Sequence, residues 1–341
     1  MEKNKKIING LLILAAVQVI LLVVVNTFSF NSIKTRKADK TLLSNVTDKN
    51  ITKVKIWDKI DGFTLTKEKD AWYVSVEEDG KTQLLPGDQK KIADYIATIA
   101  SLNEGTVIYR GSDASSDETY GFTENNIRNL EIYVGDKKPQ ALQLGNNGNI
   151  KNSTYLRFTG DSKIRQVNSN IAQKTDRIYK NWTRREILPG VALKDIESVK
   201  LSGDCVFLKD NYSIKKQISE ADKKETYVVE PAISGELDQA AVGIMLGKLV
   251  NLKADNFKFA GTVEGKEVVA QIEILCKGGK THTVKFYQAT DDNDVGDFIA
   301  ATTIDNYLYL FHDDTLTESI KNCSDLAKKN QSDWIMIKHF L

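Results

Sequence analysis

Pro86-Gly87-Asp88-Gln89-Lys90-Lys91-Ile92-Ala93-Asp94-Tyr95-Ile96-Ala97-Thr98-Ile99-Ala100-Ser101-Leu102 is the stretch on which the fold turns. Pro86-Gly87 interrupts what precedes it, and Asp88 offers an N-cap carboxylate. Ile92, Ile96, Ile99 and Leu102 follow at spacings of 4, 3 and 3. A cap followed by one apolar stripe predicts an amphipathic helix lying on a sheet. Asp88-Gln89 then returns 150 residues later as Asp238-Gln239. The stripe returns with it, as Val242, Leu246, Leu249 and Leu252.

Outward from the helix, the flanks repeat in the same order. Ile51-x-x-Val54-Lys55-Ile56 recurs as Ile196-x-x-Val199-Lys200-Leu201, and Trp72-Tyr73-Val74 as Tyr227-Val228-Val229. Leu130-Glu131-Ile132 recurs as Ile272-Glu273-Ile274. Trp182, after a polar helix expected over Asn170–Tyr179, has its counterpart in Trp334, after one expected over Ser319–Ala327. Matched features in one order predict a tandem duplication. The period exceeds the 20–50 residues of solenoid repeats, so each copy should be a domain with its own core.

Within a copy, alternating residues mark half-buried strands: Phe63 and Leu65; Trp72, Val74 and Val76; Leu130, Ile132 and Val134; Leu142 and Leu144. Tyr155–Phe158 and Ile164–Val167 read as a hairpin around Gly160-Asp161, Val107–Arg110 as a strand, and Ser112–Thr119 as an acidic solvated loop. Adjacent hairpins with one embedded helix predict an α+β class, with a mostly antiparallel sheet and one packed helix in each copy. The predicted organisation is residues 1–30 anchor, 31–43 basic stem, 44–189 first repeat and 190–341 second repeat.

The anchor is Ile7–Val25, IINGLLILAAVQVILLVVV, the one long apolar run. At about 1.5 Å per residue it reaches about 28 Å, close to the hydrocarbon thickness of a bilayer. It is longer than a cleaved signal's apolar region, and no clear small-x-small site follows, which predicts an uncleaved single-pass helix held in membrane lipid. Orientation does not follow from charge. Lys3, Lys5 and Lys6 precede the run, and Lys34, Arg36, Lys37 and Lys40 follow it.

Lys+Arg number 47 against Asp+Glu 46. So balanced a chain lacks the basic stripe that nucleic acid requires, and no nucleic-acid partner is expected. Cys205, Cys276 and Cys323 are odd in number and form no CxxC pair; they read as free thiols, with one disulfide in the second half left open.

The chemistry-bearing strings are weak. His282, His312 and His339 have no metal-ligand spacing. Ser213-Ile214-Lys215-Lys216 satisfies SxxK without its SDN and KTG partners and reads as a lysine-rich turn. Gly261–Lys266 has the wrong spacing for a phosphate loop. Asp291-Asp292-Asn293-Asp294-Val295-Gly296-Asp297 offers hard oxygens for calcium, but lacks the position-12 glutamate and reads as a turn. Of Trp57, Trp72, Trp182 and Trp334, the pair matched across the repeats is expected in the core. The residues therefore predict no catalytic site, no metal and no cofactor.

Ile51–Ile56, Trp72-Tyr73-Val74, Pro86-Gly87-Asp88-Gln89, Thr119-Tyr120-Gly121-Phe122, Leu144-Gly145, Tyr155-Leu156-Arg157 and Trp182 together resemble the bacterial domain-of-unknown-function family numbered 4340, over about residues 50–188. The second copy matches more weakly: no Tyr-Gly-Phe equivalent is visible, and Asp255-Asn256-Phe257 stands in that region. The resemblance implies an accessory component encoded beside ABC-2-type exporters of the gliding-motility type, with one N-terminal membrane helix and an extracytoplasmic body. It carries over no activity and no functional residues. The expected function is a non-enzymatic, membrane-anchored accessory or binding protein whose partner is an ABC transporter permease or auxiliary subunit. The alternatives are an anchored enzyme acting on envelope polymers and a solute-binding module with its site between the two repeats.

Overall fold

The computed structural model describes Gln18 and residues 40–328, apart from 79, 112, 219–223, 260–261 and 292–294. The anchor Ile7–Val25 lies outside them except for Gln18, as do most of the stem, His339 and Trp334. Among the described residues no helix is long and apolar enough to cross a membrane.

The first half runs β1 (Lys53–Trp57), β2 (Gly62–Glu68), β3 (Ala71–Glu78), β4 (Lys81–Pro86), α1 (Gln89–Ala100), β5 (Thr106–Arg110), α2 (Ala114–Tyr120), β6 (Arg128–Tyr133), β7 (Gln140–Asn147), β8 (Thr154–Phe158), β9 (Lys163–Val167), α3 (Ile171–Lys174) and a 3-10 turn, Tyr179–Trp182. The second runs β10 (Ile196–Gly203), β11 (Tyr212–Ile218), β12 (Glu225–Glu230), α4 (Gln239–Val250), β13 (Asn256–Phe257), β14 (Val268–Cys276), β15 (Thr281–Gln288), β16 (Phe298–Thr302), β17 (Leu308–Phe311), α5 (Asp313–Ser319) and a 3-10 turn, Cys323–Leu326. The α+β, mostly β class is as expected.

The sheets have the orders β4-β3-β2-β1-β6-β7-β8-β9-β5 and β12-β11-β10-β14-β15-β16-β17-β13. Superposing them by position leaves one difference, the extra edge strand β4. In each, the strand after the long helix, β5 or β13, crosses to the far edge and pairs antiparallel with the last strand. The first strand of each repeat pairs with the strand that the sequence matched to its partner: Val54 faces Ile132 and Ile56 faces Leu130; Val199 faces Ile274 and Leu201 faces Ile272. All eight are buried, because cross-strand partners share a face and the apolar face is the one removed from water.

The duplicated Asp-Gln pair has one task in both copies. Gln89 Oε1 accepts the Trp72 N–H at 2.8 Å and its Nε2 donates to the Trp72 carbonyl at 2.8 Å. Gln239 does the same to Tyr227, at 2.7 and 2.9 Å. The Asp88 N–H donates to the Trp182 carbonyl at 2.7 Å, and the Asp238 N–H to the Leu326 carbonyl at 2.8 Å. Bridges Gly87–Thr183 and Leu237–Ala327 continue each closure. An amide side chain carries a donor and an acceptor as a peptide unit does, so it can bond both the N–H and the carbonyl of one strand residue; the Trp72 carbonyl also accepts the Gly87 N–H at 3.1 Å.

These bonds correct the expected pairing of tryptophans. The position equivalent to Trp182 is Leu326, and both are fully buried at the end of a 3-10 turn. The polar helices expected over Asn170–Tyr179 and Ser319–Ala327 are each a short α-helix and a separate 3-10 turn. Asn256-Phe257 forms β13, the counterpart of β5, consistent with the lack of a Tyr-Gly-Phe equivalent in that region. Residues 81–86 form a strand that the Pro86-Gly87 signal had concealed.

The described chain divides into two compact units. One comprises residues through Thr64 with Lys90–Arg177, the other Leu65–Gln89 with residues from Ile178 onward. Inside the second unit, Gln83 Nε2 donates to the Phe259 carbonyl at 3.1 Å and Arg184 pairs with Asp305 at 2.8 Å. The Ile187 N–H donates to the Leu252 carbonyl at 3.1 Å.

Replacing Gln89 with Ala removes the partner of the part-buried Trp72 N–H, while the Trp72 carbonyl keeps the Gly87 N–H at 3.1 Å, and costs about 1–3 kcal/mol; Gln239→Ala, whose bonds to Tyr227 are exposed, costs about 1 kcal/mol or less because water substitutes. Urea midpoints of the two variants measure this, and equal losses would contradict the assignment.

Candidate functional site

The acidic segment after β5 was expected to be a solvated loop. It is the helix α2. Asp113 is its N-cap, accepting the Ser116 N–H at 2.8 Å, and Ser116 completes a capping box. Gly121 ends it in the left-handed conformation at φ +80, and the Phe122 N–H donates to the Asp117 carbonyl at 2.7 Å. A cap, seven residues and a glycine are a helix signature that was readable in Asp113 to Gly121.

Two glycines seat α2 against β7. A Cβ at Gly145 would lie 2.1 Å from the Tyr120 carbonyl oxygen, and one at Gly121 2.4 Å from the Asn146 side chain. Only glycine allows backbones this close. Side chains thereby converge that are far apart in sequence. The Tyr120 ring meets Tyr155 of β8 edge-on at 5.0 Å between centroids and Tyr109 of β5 at 6.0 Å. The Arg157 guanidinium lies over the Phe122 ring at 4.4 Å. Arg157 Nη1 pairs with Asp117 at 2.8 Å, and its Nε donates to Gln143 Oε1 at 2.8 Å. Gln143 Nε2 donates on to Asn129 Oδ1 at 3.2 Å. A second polar chain adjoins it. The Asn149 N–H donates to the Tyr155 hydroxyl at 3.1 Å, and Gln166 Nε2 donates to Asn149 Oδ1 at 2.8 Å and Ser153 Oγ at 2.9 Å.

Antiparallel sheets carry one apolar and one wet face. Asn129, Gln143 and Arg157 are opposed across β6, β7 and β8, whereas the alternate residues Leu130, Leu142, Leu144 and Leu156 are fully buried. The corner thus sits on the wet face, with Tyr109, Tyr120 and Tyr155 half-buried and Asn146, Asn147 and Asn149 exposed beside them. Its charged groups are engaged with one another. Tyr109 donates its hydroxyl to Asp113, which raises the phenol and, with the Ser116 N–H, holds the Asp113 carboxyl below the usual range. Such a surface can recognise by ring stacking and planar amide hydrogen bonds.

The second repeat has no counterpart of α2 between β13 and β14 among the described residues. The other sequence candidates lie apart. Ser213–Lys216 is in strand β11, not a turn; Lys215 pairs with Glu230 and Lys216 with Glu225 on β12. His282 is buried on β15 opposite Ile274, and His312 precedes α5, 3.7 Å from Asp297. Gly261 and Asp292–Asp294 lie outside the described residues. Asp297 accepts the Asp313 N–H at 2.9 Å. Among the described residues no group of three or more His, Cys, Asp and Glu is placed to hold a metal. Cys205, Cys276 and Cys323 are free thiols, and burial raises each. Trp72 and Trp182 are buried; Trp57 is half-buried with Lys55 over its ring at 5.3 Å.

Arg157→Met removes two charge-assisted bonds and the ring contact and costs about 2–3 kcal/mol, read as faster amide exchange across Ala114–Tyr120. Asp113 is ionised at lower pH when folded than unfolded. Its cap is therefore fully present above the unfolded pKa and is lost as pH falls through the lowered folded value. Tyr109→Phe should move the Asp113 carboxyl titration upward by NMR; an unmoved titration would refute the coupling.

No curated protein and no solved structure matches the chain. One family does, described as Domain of unknown function (DUF4340), over residues 81–269. The match starts at the first residue of β4 and ends inside β14, so it runs further toward the C-terminus than the resemblance over 50–188. It contains the whole tyrosine and amide corner and covers more than half of the sequence, so the chain belongs to the DUF4340 family.

Proposed function

We propose that this protein is a non-enzymatic, single-pass envelope protein, held in the membrane by Ile7–Val25 with its body outside the cytoplasm, and that it serves as an accessory binding component of an ABC-2-type exporter. The observation that carries the binding role is the corner on the first sheet. The residues that mark the family resemblance, Tyr120-Gly121-Phe122, Leu144-Gly145 and Tyr155-Leu156-Arg157, meet there in three dimensions. Arg157 is held by Asp117 and Gln143, and Asp113 by Tyr109 and Ser116. Groups satisfied in this way favour recognition over proton transfer, for which a base needs free reach to a substrate. Among the described residues the corner stands in the first repeat and has no counterpart in the second, so the first repeat is the one that carries the recognition surface.

Purification of the full chain from membranes in mild detergent is expected to bring down exporter permease or auxiliary subunits, and Tyr155→Ala with Tyr120→Ala to reduce that recovery several-fold. Recovery of the chain alone overturns the accessory role. Topology has its own test. Asp136→Cys puts a thiol in the exposed turn after β6, where a membrane-impermeant maleimide should label it on intact cells. The three native thiols, raised by burial, should react far more slowly until the protein is unfolded. Labelling that requires permeabilised cells puts the body inside.

A further inference from the structure

The second repeat is a control for the tyrosine and amide corner of the first. Leu130 and Ile272 match across the repeats, and they pair with Leu142 and Val284. Leu142 pairs in turn with Phe158, and Val284 with Thr302. Counting back along β8 and β16 sets Tyr155 against Ile299, and their partners set Gln166 against Leu310. Counting forward along β7 and β15 sets Gly145 against Tyr287. In the second repeat this place is shut: Tyr287, Ile299 and Leu310 form a small buried cluster, with Val263 from the β13–β14 connection packed against it. In the first repeat Tyr155 and Gln166 are half-buried, beside exposed Asn146, Asn147 and Asn149. Covering this part of the sheet needs only apolar side chains, as the second repeat shows. Hydroxyls and amides in the matching place do something that cover does not require.

The groups left over define what fits. Arg157 pairs with Asp117 and Asp113 accepts the Tyr109 hydroxyl, so the corner asks for an uncharged ligand. Among the described residues the side-chain amides of Asn146 and Asn147 and the Tyr120 hydroxyl bond no other protein group. Their donors need acceptors that have no partner of their own. A helix does not supply them, because its carbonyls are bonded internally. A strand does not add here, because β8 already has β7 on one side and β9 on the other. A polyproline II segment has no internal hydrogen bonds and keeps its carbonyls exposed. The rings suit it as well. Tyr120 meets Tyr155 at 78° and Tyr109 at 41°, so the three form ridges with notches between them, and proline-rich segments dock in aromatic-lined grooves. A flat sugar ring needs an open aromatic face, and an edge-on pair spends one face on its neighbour's rim.

We propose that the corner of Tyr109, Tyr120, Tyr155, Asn146 and Asn147 binds a proline-rich segment of the exporter partner in the polyproline II conformation. This rests on the accessory binding role and adds the chemistry of what is bound. Proline rings enter between the tyrosine rings, and the asparagine amides and the Tyr120 hydroxyl donate to the segment's carbonyls. Such a segment is extended before it binds, so little conformational entropy is lost on docking.

Titration of the full chain in detergent with a synthetic polyproline peptide tests it, with a glycine–serine peptide of equal length and a neutral oligosaccharide as controls. The polyproline peptide is expected to bind and the controls not to. Tyr155→Ala is expected to weaken binding about ten-fold, as loss of an aromatic anchor does. Asn147→Ala, at an exposed side chain, is expected to weaken it about three-fold, the effect of one neutral hydrogen bond. Amide exchange across Ala114–Tyr120 reports whether the corner is intact, and if Tyr155→Ala loosens it, Asn147→Ala decides. Absence of polyproline binding overturns the proposal. So does equal binding of the glycine–serine peptide, oligosaccharide binding that Asn147→Ala weakens, or an affinity that the intact variant leaves unchanged. The exporter pull-down separates the two readings. If polyproline does not bind while Tyr155→Ala with Tyr120→Ala still lowers exporter recovery, the accessory role stands and the polyproline ligand alone falls. If polyproline binds and no exporter subunit is recovered, the ligand class stands and the exporter partner falls.

Discussion

Main-chain groups beside the first helix of each repeat need partners, and one glutamine supplies them. Gln89 and Gln239 each bond the N–H and carbonyl of one strand residue, Trp72 or Tyr227. The preceding aspartate's own N–H reaches the end of the repeat, at Trp182 or Leu326. Strand, helix start and closing 3-10 turn are thereby joined at one point. A buried amide without a partner costs more than most contacts contribute, so this point constrains everything between its ends. Asp-Gln accordingly stands at both positions, 150 residues apart, while the closing residue is Trp in one repeat and Leu in the other. The bond there is made by a carbonyl, and any buried apolar side chain can carry it.

The same scaffold has been used for different surfaces. The helix α2 of the first repeat, closely packed at Gly121 and Gly145, creates a polar and aromatic corner on the wet sheet face. The second repeat lacks that helix between β13 and β14 among its described residues, and its long helix carries Ala240, Ala241 and Ile244 where α1 carries Lys90, Lys91 and Asp94. Both changes lie outside the buried face, where substitution is cheap and the register of the sheet is unaffected.

Much of the scaffold is legible in the sequence. Strand alternation placed Val54, Ile56, Leu130 and Ile132 on one buried face, and the 4-3-3 spacing located α1 with Ile92, Ile96 and Ile99 inside. The misses share a cause. Asp113 to Thr119 looked like a solvated loop because its acids dominate, although Asp113, Ser116 and Gly121 spelled a capped helix. Residues 81–86 have no clean alternation, since a strand at the sheet edge is sided by its one neighbour as much as by its own pattern. Matching Trp182 with Trp334 weighed residue identity above position.

What the sequence by itself determined is periodic and local: two copies, their strands and long helices, which faces are apolar, and a 19-residue apolar run at the N-terminus. These follow from side-chain polarity repeating at 2.0 or 3.6 residues, and any window of the chain contains the signal. Only the tertiary structure decided that Tyr109, Tyr120 and Tyr155 meet, that Arg157 is held by Asp117 and Gln143, and that Leu326 stands where Trp182 does. Those facts depend on which strands become neighbours and on how closely two glycine backbones approach. Neither is encoded in the spacing of residues along the chain, because contact across a sheet joins positions tens of residues apart.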